Sequence, residues 1–275
     1  MTGLILLTGG TGFVGRQVLK SLSAHGKKIR VVVRDGKQKQ LVALNAIESI
    51  VTTQDLFAEN AEWWTTVCGD IDTVIHVAWY AEPQNYLQSP KNFDCLIGTL
   101  QLAKGAIKSG VRRFIGVGTC VEYDIASGSL AIDTPLLPLT PYAEAKVAAF
   151  TALSQWLPRQ GVEFAWCRLF YLHGEAEDPR RLVPYIRTQL SAGKPAELTL
   201  GHQIRDFLDV TEAGRMIAQT ALGRSQGPIN ICSGKPTTVR QLAEKIAGEY
   251  GRPDLLKFGA RPENPLEFPP IVGIR

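Results

Sequence analysis

Leu4-Ile5-Leu6-Leu7-Thr8-Gly9-Gly10-Thr11-Gly12-Phe13-Val14-Gly15 is the stretch that decides the fold. Its aliphatic run reads as a buried strand over 4–7, and the helix-period residues 15–24, closed by Gly26, read as the helix that follows. Glycine at 9, 12 and 15 lets the chain turn sharply, lets backbone approach a pyrophosphate, and lets the helix pack on the strand. The start of the helix then offers free N–H groups and its positive dipole end to an anion. Such a glycine pattern is weak in isolation and could be a plain turn. Its position between an N-terminal strand and a helix is the context that a dinucleotide site requires. The candidate cofactor residues here are Gly9, Thr11, Gly12, Phe13, Val14 and Gly15.

Outward from this turn, apolar strands alternate with helices. Strands are expected at 29–33, 49–53, 73–77, 114–117 and 162–169, and helices at 61–67, 93–109 and 142–157. Alternation of this kind signals βαβ units, and continuous apolar strands signal a sheet covered on both faces. The expected fold class is α/β, a Rossmann-type doubly wound parallel sheet. After residue 170 the rhythm changes to a helix at 182–192, a short strand at 197–200, a helix at 210–222, a strand at 229–232 and a helix at 239–250. The proline-bearing tail 258–275 reads as irregular. We expect a dinucleotide-binding domain from 1–170 and 207–233, interleaved with a small, shortened substrate lobe from 171–206 and 234–275.

Composition narrows the class. The chain has 275 residues, 45% hydrophobic and 20% charged, with a formal net charge of +4. That is too apolar for a disordered chain, and 26 glycines and 16 prolines without a period exclude collagen-like repeats. No uncharged apolar run is long enough to span a bilayer, and the N-terminus lacks the basic region and cleavage site of a signal peptide. The mild charge forms no clustered basic patch, so neither nucleic acid nor membrane is an expected partner. Five scattered cysteines without a C-x-x-C pair suit reduced thiols in a cytoplasmic protein, and four unclustered histidines suggest no metal site.

Two further features carry chemistry. The second strand ends in Val33-Arg34-Asp35-Gly36-Lys37, followed by Lys39. An arginine there suits the 2′-phosphate of NADP, which is favoured, while Asp35 keeps NAD open. Asp55 and Leu56 follow the third strand, where they would frame the adenine. Tyr142-Ala143-Glu144-Ala145-Lys146 places a phenol and an ammonium four residues apart on one helical face. A nearby positive charge is expected to lower the tyrosine pKa toward neutrality and make Tyr142 a proton donor and acceptor.

These pieces together resemble the extended short-chain dehydrogenase/reductase family of nucleotide-sugar epimerases, dehydratases and ketoreductases. The matching segments are 8–15, Asp55-Leu56, His76-Val77-Ala78, Gly98-Thr99, 116–123, 142–146, Arg205-Asp206-Phe207-Leu208 and 230–234. The resemblance implies Tyr142 as general acid/base and Lys146 as the residue that holds the cofactor ribose and tunes Tyr142. It implies Thr119 as the hydroxyl that hydrogen-bonds the reacting sugar oxygen. Val77, Ala78 and Trp79 would belong to the cofactor wall. Arg205 would contact the substrate diphosphate, with Arg261 as a second clamp.

The departures from the family bear on substrate. The acidic pair that dehydratases carry after the catalytic threonine is replaced by Cys120 and Val121, which does not fit a 4,6-dehydratase. A family asparagine is Cys95 here, and another is Tyr171. Tyr80, Glu82, Glu122 and Tyr123 are expected to point into the cleft and select the sugar. The implied activity is an NADPH-dependent 4-ketoreductase acting on a nucleotide-diphosphate-linked 4-keto-6-deoxyhexose. The alternatives are a 4-epimerase with retained NAD, and a non-catalytic dinucleotide-binding protein. Family members often dimerise through the two helices at 93–109 and 142–157, so a homodimer is a further expectation. Members usually continue past the Arg261-Pro262 position, so a chain ending at Arg275 is expected to be pared down or truncated, with a more open sugar site.

Overall fold

The computed structural model describes residues 3–41, 43–263 and 268–275. In chain order the first half contains β1 (Leu4–Thr8), α1 (Phe13–Ala24), β2 (Ile29–Arg34), β3 (Ile47–Thr53), α2 (Ala61–Val67), β4 (Ile71–His76), α3 (Lys91–Lys108), β5 (Arg113–Thr119), β6 (Ser129–Leu130) and α4 (Pro141–Arg159). The second half contains β7 (Glu163–Leu169), β8 (Tyr171–His173), α5 (Leu182–Ser191), β9 (Ala196–Leu198), β10 (Ile204–Asp209), α6 (Val210–Leu222), β11 (Gly227–Ile231), β12 (Pro236–Thr238), α7 (Val239–Glu249), β13 (Leu256–Phe258) and β14 (Val272–Gly273).

Seven of these strands form one parallel sheet in the order β11-β7-β5-β4-β1-β2-β3. The order reverses at β1, so the strand ends on either side of it diverge and leave a crevice there. Strand side chains alternate between two apolar layers. Ile5, Leu7, Val31, Ile75, Ile115 and Cys167 pack with Val18, Leu22 and Ile217 of α1 and α6. Leu4, Leu6, Val32, Val74, Phe114 and Trp166 pack with Trp64, Leu102 and Leu153 of α2, α3 and α4. Both faces are therefore covered, which is why these strands read as unbroken apolar runs.

A third apolar cluster, built from Val183, Ile186, Leu198, Leu242 and Ile246, joins α5, β9 and α7. Here the sequence reading missed several short strands. β8, β10 and β12 form a three-stranded sheet, and β9 pairs with β13. Strands of three residues carry too little alternation to be told from loop. The tail read as irregular is instead anchored. β14 pairs with β6, and the buried Asp206 carboxylate accepts the backbone N–H groups of Ser233, Gly234 and Gly273 at 2.7, 2.8 and 3.2 Å. That carboxylate ties β10, the turn after β11 and the tail into one knot. All five cysteines are buried and outside any disulfide. Among the described residues, no helix is long and apolar enough to cross a membrane.

Candidate active site

The carboxyl ends of β1 to β5 lie along one edge of the sheet, and the turns leaving them build the site. Gly9 takes a φ of +77°, and a Cβ there would sit 2.8 Å from the Ala78 backbone N. A Cβ on Gly15 would meet Gly9 O at 2.1 Å, so only glycine lets α1 close onto the turn. α1 begins at Gly12 with no side-chain cap and no acidic residue in its first turn. Uncapped N–H groups behind a cradle that any side chain would fill fit a dinucleotide pyrophosphate. Thr11, Phe13 and Val14 are part of this turn and half-buried. Arg34 is exposed at the end of β2, where Lys37 N donates to its carbonyl at 2.9 Å. Asp55 is exposed after β3 and accepts from Phe57 N at 3.0 Å, and Leu56 packs on the second apolar layer.

A chain of neutral hydrogen bonds fixes β4 against this cradle. Ala78 N donates to Thr8 Oγ1 at 3.3 Å, Thr8 Oγ1 lies 2.8 Å from His76 Nδ1, and His76 Nε2 lies 2.9 Å from Thr99 Oγ1. Thr99 spends its hydroxyl proton on Cys95 O at 2.7 Å, so His76 must donate from Nε2 and accept at Nδ1. Burial lowers the His76 pKa to about 3, which keeps the ring neutral.

Thr119, Tyr142 and Lys146 converge at the end of β5. Thr140 caps α4 by accepting from Ala143 N, with Pro141 in its first turn, and the helix delivers Tyr142 and Lys146 to the same side. The Thr119 hydroxyl lies near that of Tyr142, where it favours the phenolate. Lys146, buried, donates to Val117 O at 2.6 Å and lies 3.7 Å from the centre of the Trp79 ring. Burial lowers its pKa to about 7, while Glu122 opposes that shift. The expected tyrosine near neutrality is not found here. Burial pushes the Tyr142 hydroxyl well above the ordinary phenol range, and Tyr86 and Glu122 push the same way.

The expected substrate residues divide. Tyr80 and Tyr171 are half-buried at strand ends on this edge, with Lys91 over the Tyr80 ring at 4.8 Å and Tyr171 packed edge-on against Phe207. Glu122 and Tyr123 do not face the cleft. A short 3-10 turn over 120–122 tucks both underneath, each 0% exposed. Glu122 pairs with Arg168 at 2.7 Å, and the Tyr123 hydroxyl donates to Asn230 at 2.8 Å. Glu82 bonds Arg180 at 2.8 Å, outside the catalytic group. Arg205 is held by its own chain, donating to the carbonyls of Ile204, Phe268 and Pro269 beside a cleft of about 350 Å³. Arg261 is exposed, its guanidinium 4.4 Å from the Tyr185 ring.

Sequence reasoning overlooked Tyr86, whose ring meets Tyr142 edge-on at 4.9 Å, and Arg168 and Trp166 beneath Thr119. Tyr86 sits in a loop with no pattern to mark it. Arg168 had a signal: a charge inside an apolar strand implies a buried partner.

With this geometry in hand, the profile of the NAD dependent epimerase/dehydratase family matches residues 5–232. The chain belongs to that family. Among similar proteins, a dTDP-6-deoxy-L-talose 4-dehydrogenase (NAD(+)) of Aggregatibacter actinomycetemcomitans is 23% identical over 98% of this chain and 99% of its own length. A dTDP-6-deoxy-L-talose 4-dehydrogenase (NAD(P)(+)) of Kitasatospora kifunensis is 25% identical, covering 90% of this chain and 80% of that protein. The solved UDP-N-acetylglucosamine 4-epimerase of Methanobrevibacter ruminantium M1 superposes with a TM-score of 0.87 at 22% identity, over 99% of this chain and 89% of that one. At that identity the superposition establishes the epimerase/dehydratase fold.

The neutral His76 has a measurable consequence. Between pH 6.5 and about 3 the unfolded chain binds a proton that the folded ring refuses, so this group removes stability as pH falls through that window. His76→Gln is expected to flatten the curve of unfolding free energy against pH there. Equal slopes in the two proteins would contradict a neutral buried ring.

Proposed function

We propose that the chain is an NAD(P)H-dependent 4-ketoreductase of a nucleotide-diphosphate-linked 4-keto-6-deoxyhexose. The observation that carries this reading is the convergence of Tyr142, the Thr119 hydroxyl and a buried Lys146 at the end of β5. Burial keeps the proton on Tyr142, so a proton is in place for the oxygen of a ketone as it is reduced. When bound, the dinucleotide supplies the hydride to C4. Tyr142 gives its hydroxyl proton to O4 as the carbonyl becomes an alcohol, and Thr119 donates a hydrogen bond to the same oxygen, sharing its developing charge. Lys146 would hold the cofactor ribose.

Two features support the sugar class. Cys120 and Val121 stand where a dehydratase needs its acids. The names of the two dehydrogenases quoted above agree with chemistry at C4 of such a sugar. Arg34 supports NADP over NAD. We assign substrate binding to 171–206 and 234–275, on the third apolar cluster, and dinucleotide binding to the rest. The exposed Phe93 and Ile97 on α3 support a homodimer through α3 and α4.

Tyr142→Phe is expected to lower kcat on the 4-keto sugar by about 10²- to 10⁴-fold while cofactor still binds. Near-normal turnover would sink the mechanism, and interconversion of the two 4-hydroxy epimers by the wild type without net cofactor oxidation would mark an epimerase instead. Arg34→Ala is expected to lower the preference for NADPH over NADH by about tenfold, the size of one lost charge-assisted bond. An unchanged preference would remove the assignment of NADP.

A further inference from the structure

Beneath Thr119 lies a set of charges that the proposed chemistry does not use. Glu122 is fully buried, and its carboxylate accepts from Thr119 N at 2.8 Å, Trp166 Nε1 at 3.1 Å and Arg168 Nε at 2.7 Å. Arg168 is 1% exposed, and its guanidinium lies 4.5 Å from the ring centres of both Tyr123 and Phe150. From Nη1 it donates to the Tyr123 hydroxyl at 2.9 Å. Glycine makes this room: a Cβ on Gly118 would sit 2.1 Å from Trp166 Nε1 and 2.3 Å from Glu122 Oε1. Such a pair is a poor stabiliser in itself, because desolvation of both ions offsets their attraction. Its place directly under the reacting hydroxyls points to another use.

We propose that Glu122, held by Arg168, is a positioning residue that fixes the backbone at Thr119 and keeps the Lys146 ammonium charged where water does not reach. The contact to Thr119 N pins the start of the 120–122 turn, so the Thr119 hydroxyl stays opposite Tyr142. Among the described residues, the charges and titratable groups that act on Lys146 are His76 from β4, the Cys95 thiol from α3 and Glu122 from the 120–122 turn, whose carboxylate shares the Trp166 side chain with it. Trp79 and Trp166 contribute ring faces at 3.7 and 5.8 Å. Burial keeps His76 neutral and pushes the Cys95 thiol up to about 11. Glu122 is the carboxylate in this group, and its charge favours the proton on Lys146 and on Tyr142 alike.

The inference rests on the assignment of Thr119, Tyr142 and Lys146 above, and its test separates the two. In the intact protein with isotope-labelled lysine Cε, the Lys146 NMR signal is assigned through Lys146→Met and titrated with neither substrate nor cofactor. Glu122→Gln, which keeps an acceptor for Thr119 N, is expected to move the Lys146 midpoint down by about one pH unit. Should that variant fail to fold, Glu122→Gln with Arg168→Met leaves no unpaired buried charge. Its midpoint is expected to lie between those of the wild type and the single variant. An unmoved midpoint in a folded variant overturns the proposal. In turnover, the alkaline limb of the kcat–pH profile is expected to move to lower pH, with the cofactor KM within about twofold of wild type. Lost turnover with an unmoved limb would mark a merely structural role and overturns it too. If no nucleotide sugar turns over, the NMR titration still decides the role of Glu122.

Discussion

An ammonium held out of water sets the terms for everything around it. Taking a charge into a low-dielectric interior costs several kcal/mol unless fixed partners replace its hydration. Lys146 has such partners in the Val117 carbonyl at 2.6 Å and the Trp79 ring at 3.7 Å. One belongs to β5 and the other to the turn after β4, while the lysine itself rides on α4. The parallel sheet brings these elements together, because it ends all its central strands on one edge and returns α4 across its face. A shift of any of the three would take a compensating partner away from the charge.

The two sides of the site solve the burial of polar groups differently. Around the glycine turn the solution is neutral: Thr8, His76 and Thr99 pass hydrogen bonds in one direction, and glycines bring backbone to backbone. Beneath the Thr119 and Tyr142 hydroxyls it is ionic, with Glu122 paired to Arg168. A neutral cradle adds no charge of its own to compete with the phosphates it would hold. A charged layer under Thr119 and Tyr142 biases where protons reside. Burial raises Tyr142 and lowers Lys146, and the Glu122 carboxylate favours the proton on both.

Much of this was legible in the chain. The strand, glycine turn and helix at 4–24 gave the fold, and the helices Ala61–Val67 and Val210–Leu222 have the bounds their patterns predict. Long apolar runs and strong helical periods leave little choice of structure. The strands at Tyr171–His173 and Ile204–Asp209 escaped because one is short and the other carries Arg205 and Asp206 inside it. Those polar groups are buried only because β12 and the tail close over them, a long-range fact that no local pattern contains. Nearness to Thr119 in sequence points Glu122 and Tyr123 into the cleft. A three-residue turn reverses their direction, and spacing alone does not reveal which way it rolls. Arg168 and Glu122 lie 46 positions apart, so neither could announce the other.

In the proposed reaction hydride reaches the sugar at C4 and stays there. This is tested most directly by supplying NADPH deuterated at the transferable position with a nucleotide-linked 4-keto-6-deoxyhexose, then locating the label in the product. One deuterium at C4 of the product for each cofactor oxidised is the expected result. A product with no deuterium at C4, or epimerisation at C4 of the corresponding 4-hydroxy sugar without net oxidation of the cofactor, would contradict it.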